Sequence, residues 1–309
     1  MRVLVTGATG FIGSHLTRRL IAEGHEVAIV VRANSDTWRI NDLLDDIFAI
    51  YETDLTDAAG IAGAVISFRP DAVFHLAAYY VPEHTHKDVP MLYNTNVLGT
   101  VNMLEACSSK TVNVRLFVNT STCFVYGNIA DRLGEADWVY PVNLYALTKV
   151  MGEQACEYYA KRGLNCVTLR LFPPYGEMDN TRKLIPSVIK SMLDGKELKL
   201  TACKQKWDYI YVGDIVDAYV KLLSMPEFKG HEIINIGTGH APSLKHVVLM
   251  IKDIIGNDVV PEFGAVPYRG NEVMHACADT GTASKCLGWC AKTKLKDGLK
   301  KTVAWYRGV

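Results

Sequence analysis

The sequence has no excess of either charge: thirty-three Lys and Arg balance thirty-three Asp and Glu over 309 residues. That excludes the net field that draws proteins to nucleic acid or anionic lipid, so no nucleic-acid partner is expected. No apolar run approaches the roughly 20 residues that span a bilayer. Arg2-Val3-Leu4-Val5-Thr6 runs into glycines instead of a signal-peptide cleavage site, so no membrane partner is expected and the expected compartment is cytoplasmic. There is no C-x-x-C pair. The eight cysteines, at 107, 123, 156, 166, 203, 277, 286 and 290, mostly have apolar neighbours, as buried free thiols do. Cys286 and Cys290 would suit one helical face but lack partners at ligand spacing, so neither a disulfide framework nor a metal site is expected. Internal repeats and low-complexity linkers are missing too. With 49% hydrophobic and 21% charged residues, the chain is long and apolar enough to bury a large core, which excludes disorder as its main theme.

What is present is an alternation. Short β-branched runs at Val3–Thr6, Glu26–Val31, Ile47–Tyr51, Ala72–His75, Arg115–Thr120, Cys166–Phe172 and Ile233–Ile236 are separated by helical stretches. This rhythm predicts a doubly wound α/β fold with a parallel sheet. Near-continuous apolarity in several strands fits burial on both faces. After Phe172 the turn cluster Pro173-Pro174-Tyr175-Gly176 interrupts the rhythm. The expected organisation is a first α/β domain over 1–172, rejoined near 231–240, and a smaller C-terminal portion over 173–309.

Directly after the first strand comes Thr6-Gly7-Ala8-Thr9-Gly10-Phe11-Ile12-Gly13-Ser14-His15-Leu16. Glycines at this spacing allow a tight turn, close backbone approach to a pyrophosphate, and close packing of helix on strand. A helix beginning at Phe11 would aim its N–H groups and positive dipole end at the phosphates. At the end of the second strand an NAD site usually places Asp or Glu against the ribose hydroxyls. This chain has Val30-Val31-Arg32-Ala33-Asn34-Ser35 there. Without a carboxylate to repel a 2′-phosphate, and with Arg32 at hand to pair with it, the expected cofactor is NADP, with NAD the alternative. A solvated strand-end charge is the alternative reading of Arg32. Asp54-Leu55 follows the third strand, where the carboxylate can accept from an adenine amino group or cap a helix starting near Thr56.

Thr6–Leu16, Asp54-Leu55, His75-Leu76-Ala77-Ala78, the pentad Tyr145-Ala146-Leu147-Thr148-Lys149 and Leu169-Arg170-Leu171-Phe172 together resemble the extended short-chain dehydrogenase/reductase family. The resemblance continues through Asp208–Val212, Asn235–Gly239 and Leu287-Gly288-Trp289 to Thr302–Arg307, nearly the whole chain. It implies a Rossmann-type fold with a C-terminal α/β substrate lobe, and an enzyme that modifies nucleotide-activated sugars. It also implies cofactor contacts from Gly7, Thr9, Gly10, Phe11, Ile12 and Gly13, from Arg32, Asp54 and Leu55, from Leu76, Ala77 and Ala78, and from Asn96, Thr120, Tyr145 and Lys149.

Tyr145 and Lys149 lie four apart, on one helical face. A phenol with a pKa near 10 is a poor proton donor at neutral pH. A nearby ammonium stabilises phenolate and is expected to pull that pKa down. In the family this Tyr moves the proton of the sugar oxygen and the Lys holds the nicotinamide ribose. Aligning Tyr126-Gly127 with the family's Y-G places Thr122 at the hydroxyl that bonds the reacting oxygen, completing the triad Thr122, Tyr145 and Lys149. Thr120 or Ser121 would take that role in a shifted register, and strand-end backbone satisfaction is the plain reading of all three. Asn96 resembles a family Asn that braces the sheet. His75, His84 and His86 read as a strand-end side chain and a solvated loop.

Substrate contacts implied by the resemblance come from Thr122, Cys123, Leu184, Lys206, Trp207, Tyr209, Arg269 and Glu272. The sequence departs from related epimerases at Pro173, where they have Asn, and at Trp207, where they often have Arg. Arg269 suits a phosphate or a surface ion pair equally. Dehydratases of the family carry Asp-Glu after the catalytic Thr; here Cys123-Phe124 offers no strong proton shuttle. That stretch also looks like the CDP-abequose and paratose synthase group. The expected activity is therefore NADPH-dependent reduction of a nucleotide 4-keto-sugar. The alternative is a redox-neutral epimerase or 4,6-dehydratase with bound NAD, and a remote one is a non-catalytic cofactor sensor on the same fold. The resemblance also implies a homodimer built from two helices per subunit, near Pro90–Cys107 and Tyr145–Lys161, although their apolar faces equally suit an intrachain core.

Overall fold

The computed structural model describes residues 1–127, 131–225, 228, 230–270 and 272–308. In chain order it contains β1 (Arg2–Thr6), α1 (Phe11–Ala22), β2 (Glu26–Val31), β3 (Ala49–Glu52), α2 (Ala58–Phe68), β4 (Ala72–His75), α3 (Asp88–Tyr93), α4 (Gly99–Cys107), β5 (Leu116–Thr122), α5 (Leu144–Ala160) and β6 (Cys166–Leu171). There follow β7 (Pro174–Tyr175), α6 (Leu184–Leu193), β8 (Leu198–Leu200), β9 (Lys206–Trp207), β10 (Ile210–Tyr211), α7 (Val212–Leu223), β11 (His231–Ile236), α8 (Leu244–Ile255), β12 (Pro261–Phe263), β13 (His275–Ala276), α9 (Gly281–Leu287) and α10 (Leu295–Arg307).

The main sheet has seven strands in the order β11-β6-β5-β4-β1-β2-β3, and the pairs from β6 to β3 are parallel. This is the doubly wound α/β architecture the alternation predicts. The chain leaves β1 towards β2 and β3, then returns to place β4 on the other flank of β1. That reversal is a topological switch point, and in open α/β sheets ligands bind beside it, at the carboxyl ends of the strands. Thr6 and His75 are register partners at those ends. Val3, Leu4 and Val5 are wholly buried, as are Ala72, Val73 and Phe74. Burying a side chain of the Val, Leu or Phe kind is worth about 1.5–3 kcal/mol, so the two strands that carry the switch point are firmly held.

The chain forms two compact units: Met1–Tyr126, Val139–Leu171 and Val216–Ile234 make the first, and Gly127–Trp138, Phe172–Ile215 and Asn235–Val309 the second. The second has its own core of Ile185, Val188, Met192, Val247, Ile251 and Leu299, and short parallel pairs β7–β10, β8–β12 and β9–β13.

Several local expectations need correction. The third strand begins at Ala49, not Ile47, and the fifth runs on to Thr122. The stretch 90–107 is not one helix: α3 passes into a π-helical turn, Asn94–Leu98, before α4. Cys290 lies beyond the end of α9, which Gly288 closes in the left-handed conformation, so it does not share a helical face with Cys286. Six cysteines are buried, Cys286 is partly so and Cys290 is exposed. Among the described residues no His, Cys, Asp and Glu cluster could hold a metal ion, and no helix is long and apolar enough to cross a membrane.

Candidate active site

The turn after β1 closes with Gly10 N–H donating to Gly7 O at 2.9 Å. Gly7 has φ +75°, and a Cβ there would lie 2.6 Å from Ala77 N; a Cβ on Gly13 would lie 2.1 Å from Gly7 O. Only glycine permits either approach, because backbone atoms cannot yield as a flexible side chain would. Gly10, the N-cap of α1, supplies no side-chain cap, and the first turn of α1 carries no acidic residue. The uncapped N–H groups and the dipole of α1 thus suit an anion. The residues that could hold a dinucleotide's pyrophosphate here are Gly7, Thr9, Gly10, Phe11, Ile12 and Gly13.

Arg32 is exposed at the end of β2, and its backbone N–H is fixed by Ser35 Oγ at 3.0 Å. Asp54 accepts from Thr56 N and Oγ1, which hold its carboxyl below the usual range, and Arg32 adds a smaller lowering effect. The cap of α2 is Asp57, not Asp54: its carboxylate accepts from Gly60 N. Leu55 is buried, with its carbonyl accepting from Asn102 Nδ2. One residue that spacing gave no reason to select, Arg39, donates to Thr9 O at 3.4 Å and stacks over Trp38. It brings a guanidinium to the glycine turn.

Beneath the turn runs a chain of hydrogen bonds whose direction can be assigned. Ala77 N–H donates to Thr6 Oγ1, Thr6 pairs with His75 Nδ1, His75 Nε2 pairs with Thr100 Oγ1, and Thr100 donates to Asn96 O. The only proton of the Thr100 hydroxyl is committed to Asn96 O, so His75 Nε2 must be the donor and Nδ1 accepts from Thr6. Burial lowers the His75 pKa to about 3, with the Lys149 charge nearby adding to it, so the imidazole is neutral. His75 is the structural histidine expected. Asn96, in the π-helical turn, accepts from Tyr79 N and donates to Tyr79 O and Thr148 Oγ1; Thr148 in turn donates to Tyr145 O. This network orders the loop containing Leu76, Ala77 and Ala78 and ties it to α5.

Asn143 caps α5 through Ala146 N and donates to Pro82 O. It sets where Tyr145 enters the helix. The Tyr145 ring is half-buried and meets Tyr80 edge-to-face, with centroids 4.8 Å apart. Burial pushes its phenol pKa up, with Tyr80 and Cys123 adding to the rise. The expected lowering by Lys149 is therefore not what dominates in the isolated chain; desolvation does. Lys149 is buried, which brings its ammonium down to about 8, against smaller raising effects of Cys156 and Glu153.

On β5, Thr120 and Thr122 project to one face and Ser121 to the other. Thr122 Oγ1 accepts from Phe124 N at 3.3 Å, while Thr120 Oγ1 and Tyr219 OH are 2.6 Å apart. Ser121 donates to Glu153, whose carboxylate forms a buried ion pair with Arg170 at 2.6 Å. The Ser121 hydroxyl is thereby committed to the strut between α5 and β6, which leaves Thr120 and Thr122 as candidate hydroxyls. Cys123 is buried.

The residues predicted for substrate are not gathered in the same way. Leu184 opens α6, half-buried, and Lys206 is exposed. Trp207 donates through Nε1 to Val273 O, and Tyr209 packs in the core of the second unit. Glu272 accepts from Gln205 Nε2, and Arg269 is exposed; Asn271 between them lies outside the described residues. His84 and His86 are exposed, as a solvated loop requires.

Residues 3–237 match the family model of the NAD dependent epimerase/dehydratase family, and the chain belongs to that family, within the extended short-chain dehydrogenases/reductases. It is 30% identical over 304 residues to CDP-abequose synthase of Salmonella muenchen, covering 98% of this chain and 97% of that one. Its structure is similar to that of UDP-glucose 4-epimerase from Thermotoga maritima solved with UDP-glucose, with a TM-score of 0.91, 29% identity and coverage of 100% and 99%. It is also similar to UDP-glucuronic acid 4-epimerase from Bacillus cereus in complex with UDP-glucuronic acid and NAD, with a TM-score of 0.90, 27% identity and the same coverage.

Proposed function

We propose that this enzyme acts on nucleotide-activated sugars as an NADP(H)-dependent 4-ketoreductase. The observations behind the cofactor choice are Arg32, exposed at the end of β2 where a carboxylate would favour NAD, and the Arg39 guanidinium on Thr9 O of the glycine turn. A cofactor used for net reduction must exchange. When bound, the nicotinamide would supply the hydride for the keto carbon. Tyr145 gives its phenolic proton to the resulting alkoxide oxygen, and Thr122 or Thr120 donates a hydrogen bond to the same oxygen. Lys149, charged below about pH 8, offsets the cost of the phenolate that burial makes expensive. Turnover is therefore expected to fall as pH rises through 8.

Cys123-Phe124 after Thr122 supplies no acid and base for water loss, which disfavours dehydration. The likeness to CDP-abequose synthase supports reduction. Likeness to UDP-sugar 4-epimerases favours a second reading, a redox-neutral epimerase with retained NAD. Purified protein should oxidise NADPH in proportion to a nucleotide 4-keto-sugar consumed. Protein that carries unexchangeable NAD and interconverts sugar epimers without added cofactor would establish the second reading. A homodimer is proposed as well: Met91, Leu98, Leu147 and Tyr158 are exposed on the helices that the family pairs. Light scattering tests it.

A further inference from the structure

We propose that Tyr80 is a positioning residue for Tyr145: carried on the loop after β4, its ring packs edge-to-face on the phenol and fixes where that hydroxyl points. The centroids are 4.8 Å apart and the rings stand at 86°, an arrangement that aromatic quadrupoles favour.

The loop is built to hold Tyr80 there. On one side, Asn96 takes both backbone groups of Tyr79. On the other, Pro82 O accepts from Asn143 Nδ2 at 3.2 Å, and Asn143 is also the cap of α5, two residues before Tyr145. One asparagine thus sets the place of both rings. Farther along, Asp88 accepts from Tyr79 OH and from Thr85 N and Oγ1, closing the loop on itself. Tyr80 remains 47% exposed, so part of its ring covers Tyr145 while the rest presents an aromatic surface beside the proton donor. The titratable groups around the Tyr145 phenol are Tyr80, Cys123 and Tyr219, with Lys149 one turn along α5. The rise in the phenol's pKa from burial agrees with a ring cover that excludes water.

This inference rests on reading Tyr145 as the proton donor, and the test separates the two. Tyr80→Leu and Tyr80→Phe are compared in turnover of nucleotide 4-keto-sugars and in the NMR signals of isotope-labelled tyrosine rings, with Tyr145→Phe assigning the Tyr145 resonances. In Tyr80→Leu, kcat should fall about tenfold with KM nearly unchanged, because the donor is mispointed and not lost. Tyr80→Phe should restore kcat to within about twofold of wild type, as it keeps the ring contact. The decline through about pH 8 set by Lys149 should stay where it is. The Tyr145 signals should shift in the Leu variant and hold in the Phe variant. Unaltered kcat in Tyr80→Leu, or a loss in Tyr80→Phe as large as in Tyr80→Leu, overturns the proposal. Tyr145 signals unmoved by Tyr80→Leu overturn it whatever the substrate. Shifted signals in a protein whose wild type reduces no nucleotide sugar support the ring contact and overturn the functional reading instead.

Discussion

The residues predicted to meet cofactor and those predicted to meet substrate sit differently in the two units. In the first, Thr6, His75, Thr100 and Asn96 are buried, and the donor and acceptor roles along their chain are fixed by a single consistent assignment. In the second, the residues predicted to meet substrate divide between solvent, as with Lys206 and Arg269, and core, as with Tyr209. A cofactor whose shape does not vary can be met by rigid backbone and buried polar struts, since every strut can be satisfied within the protein. A substrate that varies among relatives can be met by exposed side chains, which change without disturbing a core.

The largest effect that would sharpen this contrast is at Tyr145. Tyr145→Phe keeps the ring, and with it the contact with Tyr80, while removing the proton. Turnover should fall by about 10²–10⁴, the range for loss of a general acid. NADPH affinity, measured by fluorescence, should change little. Wild-type turnover in this variant would take the proton-donor role away from Tyr145.

Next come Arg32 and Arg39. Charge-assisted hydrogen bonds are worth about 1.5–3 kcal/mol each, so Arg32→Ala/Arg39→Ala should weaken NADPH at least about tenfold while sparing NADH. Equal losses for both coenzymes would show that these side chains support the turn and do not read a 2′-phosphate.

How much of this was legible depends on what wrote the signal. Backbone constraints print themselves in sequence: Gly7 and Gly13 have no substitute where a Cβ meets main chain, and β1 and β4 needed only their apolar runs. Asp57 could not be told from Asp54 as a cap, because both precede a helix by a few residues and only the φ/ψ of the turn decides. The π-helical turn interrupting 90–107 has no apolar periodicity of its own. Arg39 and Tyr80 reach the site from segments after β2 and β4 whose paths no spacing rule describes. Sequence shows the lysine one turn from the phenol but not the burial that raises the phenol's pKa.

His75 offers a smaller test that needs no substrate. Its pKa is lowered from 6.5 to about 3 in the folded chain. As pH falls below 6.5, the unfolded chain binds a proton that the folded chain refuses, so stability present above 6.5 is progressively lost. Linkage sets that loss at up to about 1.4 kcal/mol per pH unit. Urea unfolding between pH 6.5 and 4.5 should show a steeper acid loss in wild type than in His75→Gln. Parallel curves would mean that the imidazole is not held neutral by the Thr6 and Thr100 hydroxyls.

The smallest expected effect lies in the second unit, and it bears most directly on the contrast. Arg269 is exposed, and an exposed charge is strongly screened, so its pairing with a substrate phosphate is worth about 0.2–1 kcal/mol. Arg269→Ala should therefore raise KM for a nucleotide sugar by no more than about fivefold, with kcat and NADPH affinity unchanged. A loss confined to KM marks uniform binding, the contribution of a side chain that holds the substrate without touching the reacting carbon. If kcat fell as well, Arg269 would act on the transition state, and the contrast between buried and exposed predicted contacts would break at that residue.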